Sequence, residues 1–173
     1  SRTLEEHLSR LEMVLDRLVK AGLKLKPSKC RLLQRQVGFL GHIISEEGIA
    51  TDPAKTNAIV HWPTPTNVHE VRGFLGLCSY YRRFVDHYAE KSAGLTSLLR
   101  KNVRFRWTDE CQKSFDQLRR ALTSPPVLAM PREPPEVPDG REGIYILDTD
   151  ASDVSVGCVL SQVQDGVERV IAY

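Results

Sequence analysis

Six of the ten prolines in this 173-residue chain fall between positions 125 and 138: Pro125, Pro126, Pro131, Pro134, Pro135 and Pro138. Proline removes a backbone donor and fixes φ, so neither a helix nor a central strand can run through such a stretch. It reads as a stiff, extended connector and as the main boundary in the chain. Before it, apolar residues recur mostly at helical spacing. After it they alternate.

The helical side opens with Thr3 and Glu6, a capping box, followed by Leu4, Leu8, Leu11, Leu15 and Leu18 on one side of a helix that Gly22 ends. That stripe is expected to pack into a core. From Leu23 to Ile49 the pattern shifts toward alternation, and Val37 to Ile44 reads as a strand interrupted by glycines. A turn at Glu46-Glu47-Gly48 and a return at Ile49 follow. Glycines there mark a bulge, a kink or a close backbone approach. Asp52-Pro53 caps a short helix through Val60. A further helix is expected over roughly 89–101, with Leu95, Leu98 and Leu99. The basic, alternating stretch 102–107 follows, and Thr108 then caps a last helix with Cys111, Phe115, Leu118 and Leu122 on one side.

The stretch Thr66–Tyr88 sits at the centre. Asn67 and Glu70 form a capping box, and Val71, Phe74, Leu77, Cys78, Tyr81, Phe84, Val85 and Tyr88 fall on one side at 100° per residue. The other side collects His69, Arg72, Gly76, Ser79, Tyr80, Arg83 and His87, an unusual set for a solvated face. A helical glycine costs roughly 1 kcal/mol against alanine, so Gly76 suggests that something approaches the backbone closely. Arg72 and Arg83 suit phosphates, and Tyr80 suits a sugar or base. A neighbouring helix lodged against the glycines would explain the face equally well, and the residues alone leave both readings open.

Charge divides along the same line as the pattern. Residues 131–173 carry three basic and nine acidic side chains, whereas residues 1–130 carry 21 and 13, so a net +2 conceals a basic first part. That part suits a nucleic-acid backbone. Apolar content of 41% is enough for a core, and no apolar run reaches the roughly 18 residues of a membrane span. The four cysteines (30, 78, 111 and 158) and five histidines show no metal-ligand spacing, and Cys78 and Cys111 read as buried thiols. No signal peptide opens the chain, and it stops within a strand, so a piece of something longer is expected.

Beyond the connector, Gly143–Asp150 reads as a strand, Val154–Gln162 as a second, Asp165-Gly166 as a hairpin turn and Val167–Tyr173 as a third strand. Asp148 and Asp150 face the same way. Asp153 reads as a turn residue.

Several segments together carry a resemblance. They are AGLKLKPSKC (21–30), VGFLGHIIS (37–45), WPTP (62–65), VRGFLGLCSYYRRFV (71–85), FRWTDEC (105–111), PVLAMP (126–131) and ILDTDASD (146–153). Their content and order resemble the reverse transcriptase–ribonuclease H region of gypsy-type LTR retrotransposon pol polyproteins, over nearly the whole chain.

The resemblance implies an α+β architecture. Residues 1–50 would be the end of a palm with a primer-gripping β-hairpin, and 51–106 a helical thumb bundle. Residues 107–138 would be a tether, and 139–173 the first antiparallel strands of a truncated ribonuclease H-like α/β domain. The central helix would track a primer–template duplex, either RNA–DNA hybrid or DNA, through Arg72, Gly73, Gly76, Tyr80 and Arg83. The hairpin would add Phe39, Leu40, Gly41 and His42. The remainder of the pol polyprotein would be a partner, with no membrane involved. The location would be intracellular, in the cytoplasm, a virus-like particle or the nucleus.

Asp150 matches the first metal-binding carboxylate of ribonuclease H, which uses two Mg²⁺ held by four carboxylates. Alone it would bind no ion firmly, so this piece is expected to be inactive, its polymerase aspartates (Y-x-D-D in the family) lying upstream. A domesticated module that binds nucleic acid or protein without catalysis is the alternative. An intact Y-x-D-D upstream together with the remaining ribonuclease H carboxylates downstream in the parent reading frame would favour the first, and loss of either the second.

Overall fold

The structure, a computed structural model, describes residues 3–133, 140–152 and 155–173. Pro134, Pro135 and Pro138 of the connector, Asp153 and Val154 lie outside the described residues. Two compact units divide the chain, Ser1–Gln34 and Arg35–Tyr173.

In the first unit, helix α1 (Leu4–Lys20) starts where Thr3 Oγ1 accepts the Glu6 N–H at 3.1 Å, and Gly22 follows it at φ +68°. A 3-10 turn covers Pro27–Lys29. None of the α1 residues is buried; Leu4, Leu8 and Leu15 are exposed, and Leu11 and Leu18 half-buried. The expected core packing of this stripe is therefore corrected. A stripe is buried only where a second apolar surface meets it, and one helix with a 3-10 turn supplies none.

The second unit begins with an antiparallel meander of β1 (Gln36–Phe39), β2 (His42–Ser45) and β3 (Gly48–Thr51). The glycine-interrupted strand expected over 37–44 is thus two strands. Leu40 at φ +47° and Gly41 at φ +71° form a two-residue turn, and positive φ at both positions is what such tight hairpins require. Helices α2 (Pro53–Val60), α3 (Val68–Tyr80), α4 (Tyr88–Ser97) and α5 (Asp109–Thr123) follow. Ile59, Val71, Phe74, Cys78, Leu95, Phe115, Leu118 and Leu122 form their shared core. Burial pushes the Cys78 thiol up to about 12. Helices α4 and α5 touch at Gly94, where an added Cβ would lie 2.7 Å from the Glu110 carbonyl.

The expected continuous helix to Tyr88 is also corrected. It ends at Tyr80, a 3-10 turn covers Arg82–Phe84, and His87 at φ +48° redirects the chain into α4. Tertiary contacts cause the break. Tyr81 Oη donates to the Gly41 carbonyl at 2.8 Å, Phe84 stacks on His42 with ring centroids 5.6 Å apart, and Tyr88 Oη reaches the Leu75 carbonyl at 3.5 Å. One straight helix could not direct these three rings to their separate partners.

A second meander contains β4 (Tyr145–Ala151), β5 (Val156–Gln164) and β6 (Val167–Ala172), with Asp165-Gly166 at positive φ in the expected hairpin. The fold is α+β, as the resemblance implied. The first part of the connector laces the two sheets together. Leu128 exchanges both backbone hydrogen bonds with Ile49 (2.7 and 2.9 Å), and Ala129 N–H donates to the Val170 carbonyl at 2.7 Å. Among the described residues, no helix is long and apolar enough to cross a membrane.

Candidate nucleic-acid interface

Local sequence sets the orientation of α3. Asn67 Oδ1 accepts the Glu70 N–H at 3.0 Å, and the Glu70 carboxylate reaches back to the Thr66 N–H at 2.7 Å. That backbone bond is the main reason the Glu70 pKa lies below the usual carboxylate range. With its first turn fixed, the helix buries Val71, Phe74, Leu75 and Cys78. Arg72, Gly73 and Gly76 are left exposed, and Tyr80 is 51% exposed.

Arg72, Gly76 and Tyr80 are spaced four residues apart and form one line of about 12 Å along the helix. Beyond its chain neighbours and the backbone of its own helix, nothing among the described residues comes within 4 Å of where a Gly76 Cβ would sit, and a Gly73 Cβ would meet only the Trp62 ring at 3.7 Å. Among the described residues, packing leaves room for a side chain at either glycine. The neighbouring-helix explanation therefore finds no such helix among the described residues.

At the C-terminal end of this line lies the β1–β2 turn. Its Leu40 carbonyl accepts from Tyr80 Oη and pairs with His42 Nδ1 at 2.9 Å. Its Gly41 carbonyl accepts from Tyr81 Oη at 2.8 Å and the Asp52 N–H at 3.1 Å. The His42 ring packs within 5.6 Å of Tyr80, Tyr81 and Phe84. Phe39 and Leu40 remain exposed at the tip. So Phe39, Leu40, Gly41 and His42 are brought up to Tyr80, forming a ridge with an apolar tip beside an open helix face that carries Arg72. Such a surface can take a grooved polyanion along the helix and a sugar or base against the ridge.

Arg83, expected on the same face, lies elsewhere. It is half-buried, its Nη2 donates to the Ile171 carbonyl of β6 at 3.2 Å, and its backbone carbonyl accepts from the Tyr173 N–H. The helix has ended before it, so the 100° spacing no longer applies. Tyr81 and Asp52 were missed by sequence reasoning. The available signal was a phenol among Phe84, Val85 and Cys78, because a buried hydroxyl needs a partner.

Asp150 faces Gly157 across the β4–β5 ladder, and Asp148 faces Val159. Both are exposed and line a cavity of about 250 Å³ with Asp86, His87 and Cys158, apart from the α3 face and the hairpin. Among the described residues, no group of three or more His, Cys, Asp or Glu side chains could hold a metal ion. The donor set of a two-Mg²⁺ centre is therefore incomplete in these residues.

The RNase H-like domain found in reverse transcriptase matches residues 107–173. The retrovirus-related Pol polyprotein from transposon 297 of Drosophila melanogaster is 38% identical over 94% of the chain, and that from transposon 412 is 38% identical over 98%. The transposon Tf2-3 polyprotein of Schizosaccharomyces pombe is 36% identical over 95%. The chain belongs to the retrotransposon pol polyproteins. This pol segment spans 15%, 13% and 12% of those relatives' lengths.

Its fold is similar to the foamy viral protease-reverse transcriptase solved with double-stranded DNA. That likeness has a TM-score of 0.76 and 25% identity, covering 100% of the pol segment and 29% of the viral chain. The same viral protein solved with RNA/DNA hybrid matches with a TM-score of 0.73 and 25% identity, over 100% and 22%.

Proposed function

We propose that the segment holds the primer–template duplex in a gypsy-type reverse transcriptase/ribonuclease H during RNA-directed DNA synthesis. In this reading residues 1–50 end a palm, 51–106 form the thumb, 107–138 the tether and 139–173 open the ribonuclease H domain. The duplex, RNA–DNA hybrid or DNA, lies along Arg72, Gly73 and Gly76, with Tyr80 and the tip residues Phe39, Leu40, Gly41 and His42 against its strand. Asp150 contributes one carboxylate to a Mg²⁺ centre completed by residues outside this segment, which by itself is inert in both reactions. The parent protein works inside the cell.

The observation that carries the reading is Gly76. A helix-interior glycine that costs about 1 kcal/mol and packs against nothing described in its own chain is explained by an outside backbone coming close. The net charge of residues 1–130 and the nucleic acids bound by the foamy viral protein support it.

The test is a titration of RNA–DNA hybrid across salt concentrations. Affinity is expected to fall steeply as salt rises, and Arg72→Ala to weaken binding while lowering the slope of log K against log salt by about one. Unchanged affinity and slope in Arg72→Ala would contradict the reading.

A further inference from the structure

Tyr81 is 1% exposed, so it cannot touch a bound duplex, yet its hydroxyl is tied to the turn whose tip is expected to. Its ring meets Tyr80 edge-on at 4.9 Å, His42 at 5.6 Å and Phe84 at 6.2 Å, contacts that a phenylalanine would preserve. The hydroxyl is not needed to satisfy the Gly41 carbonyl, which already accepts the Asp52 N–H at 3.1 Å. What it adds is a second fixed direction. The Asp52 N–H ties the turn to the start of α2, while Tyr81 ties it to the end of α3. A Cβ on Gly41 would lie 3.0 Å from the Tyr81 oxygen, so the approach is close. Burial, then the neighbouring Tyr80 phenol and Asp52 carboxylate, raise the Tyr81 pKa and keep the phenol a donor.

We propose that Tyr81 is a positioning residue for duplex binding: its hydroxyl locks the β1–β2 turn onto the end of α3, so that hairpin tip and bare helix face meet the duplex as one preformed surface. This rests on the function proposed above. Without the tie, the tip samples other angles and must be ordered on binding, which lowers affinity without removing a phosphate contact. Tyr80 ties the neighbouring carbonyl in the same way but is itself part of the exposed face.

The experiment compares the 173-residue chain with Tyr81→Phe, using RNA–DNA hybrid across salt concentrations, thermal melting and amide hydrogen exchange. Tyr81→Phe is expected to melt within a few degrees of the parent and to weaken binding roughly three- to tenfold, the worth of one hydrogen bond. The salt slope should stay unchanged, since no phosphate contact is lost, and the Leu40 and Gly41 amides should exchange faster. If the parent binds, Arg72→Ala weakens it and Tyr81→Phe does not, the positioning role is wrong and the duplex reading stands. If the parent shows no salt-dependent binding, the duplex reading fails and takes this inference with it. A Tyr81→Phe chain that melts far below the parent would also overturn the proposal, because the hydroxyl would then belong to the core.

Discussion

Gly48 and Gly41 occur in the same short run of sequence and do different things. Gly41 turns a hairpin, whereas Gly48, at φ +136°, lets another backbone in: an added Cβ would lie 2.2 Å from the Leu128 carbonyl oxygen. That oxygen accepts the Ile49 N–H at 2.7 Å, so a side chain at 48 must break the bridge between β3 and the segment after α5. With left-handed strain and two backbone bonds at stake, Gly48→Ala is expected to destabilise the chain by about 3 kcal/mol in urea unfolding. A loss below about 0.5 kcal/mol, the range of an ordinary surface change, would show that the bridge gives way at little cost. From sequence a glycine signals only that a side chain is unwelcome. Whether a turn, a neighbouring backbone or a ligand is the reason depends on what folds against it.

At the scale of elements, what could be read early was what local chemistry decides. The Thr3, Asp52, Asn67 and Thr108 caps all bond backbone N–H groups as their side chains suggested, and α5 buries Cys111, Phe115, Leu118 and Leu122 as its period required. The break after Tyr80 was not legible, because no proline or glycine marks it. It arises from partners some forty residues away, Gly41 for Tyr81 and His42 for Phe84. The Leu4–Leu18 stripe shows the opposite limit, since periodicity reveals a face but not what meets it.

The same break takes Arg83 off the open face of α3. Its guanidinium bonds the Ile171 carbonyl and lies 5.9 Å from the Phe84 ring centroid. Arg83→Ala is therefore expected to lower stability by about 1–3 kcal/mol and to leave the salt slope of duplex binding unchanged. A reduced slope with unchanged stability would return Arg83 to the contact face.

Across residues 35–173, the connector expected to be stiff is bonded to the second sheet as far as Arg132. Gln162 and Gln164, both buried, hydrogen-bond the Arg132 and Met130 carbonyls at 2.8 and 2.7 Å, and Arg132 pairs with both Asp165 oxygens at 3.0 Å. A buried glutamine must find partners for its amide, and here the connector supplies them. The connector and the second sheet thus share a hydrogen-bonded seam, which suits the proposed duplex-holding role.

The proposed function requires one face of α3 to be bare for a partner rather than for folding. The most direct measurement compares Gly76→Gln with the parent in two assays, thermal stability and affinity for RNA–DNA hybrid. Glutamine is the better helix former and would project into open space, so melting temperature is expected to hold or rise. Affinity is expected to fall tenfold or more, of the order of one blocked close approach (about 1.4 kcal/mol). A Gly76→Gln chain that binds hybrid as tightly as the parent would contradict the claim, because the open face would then have no occupant.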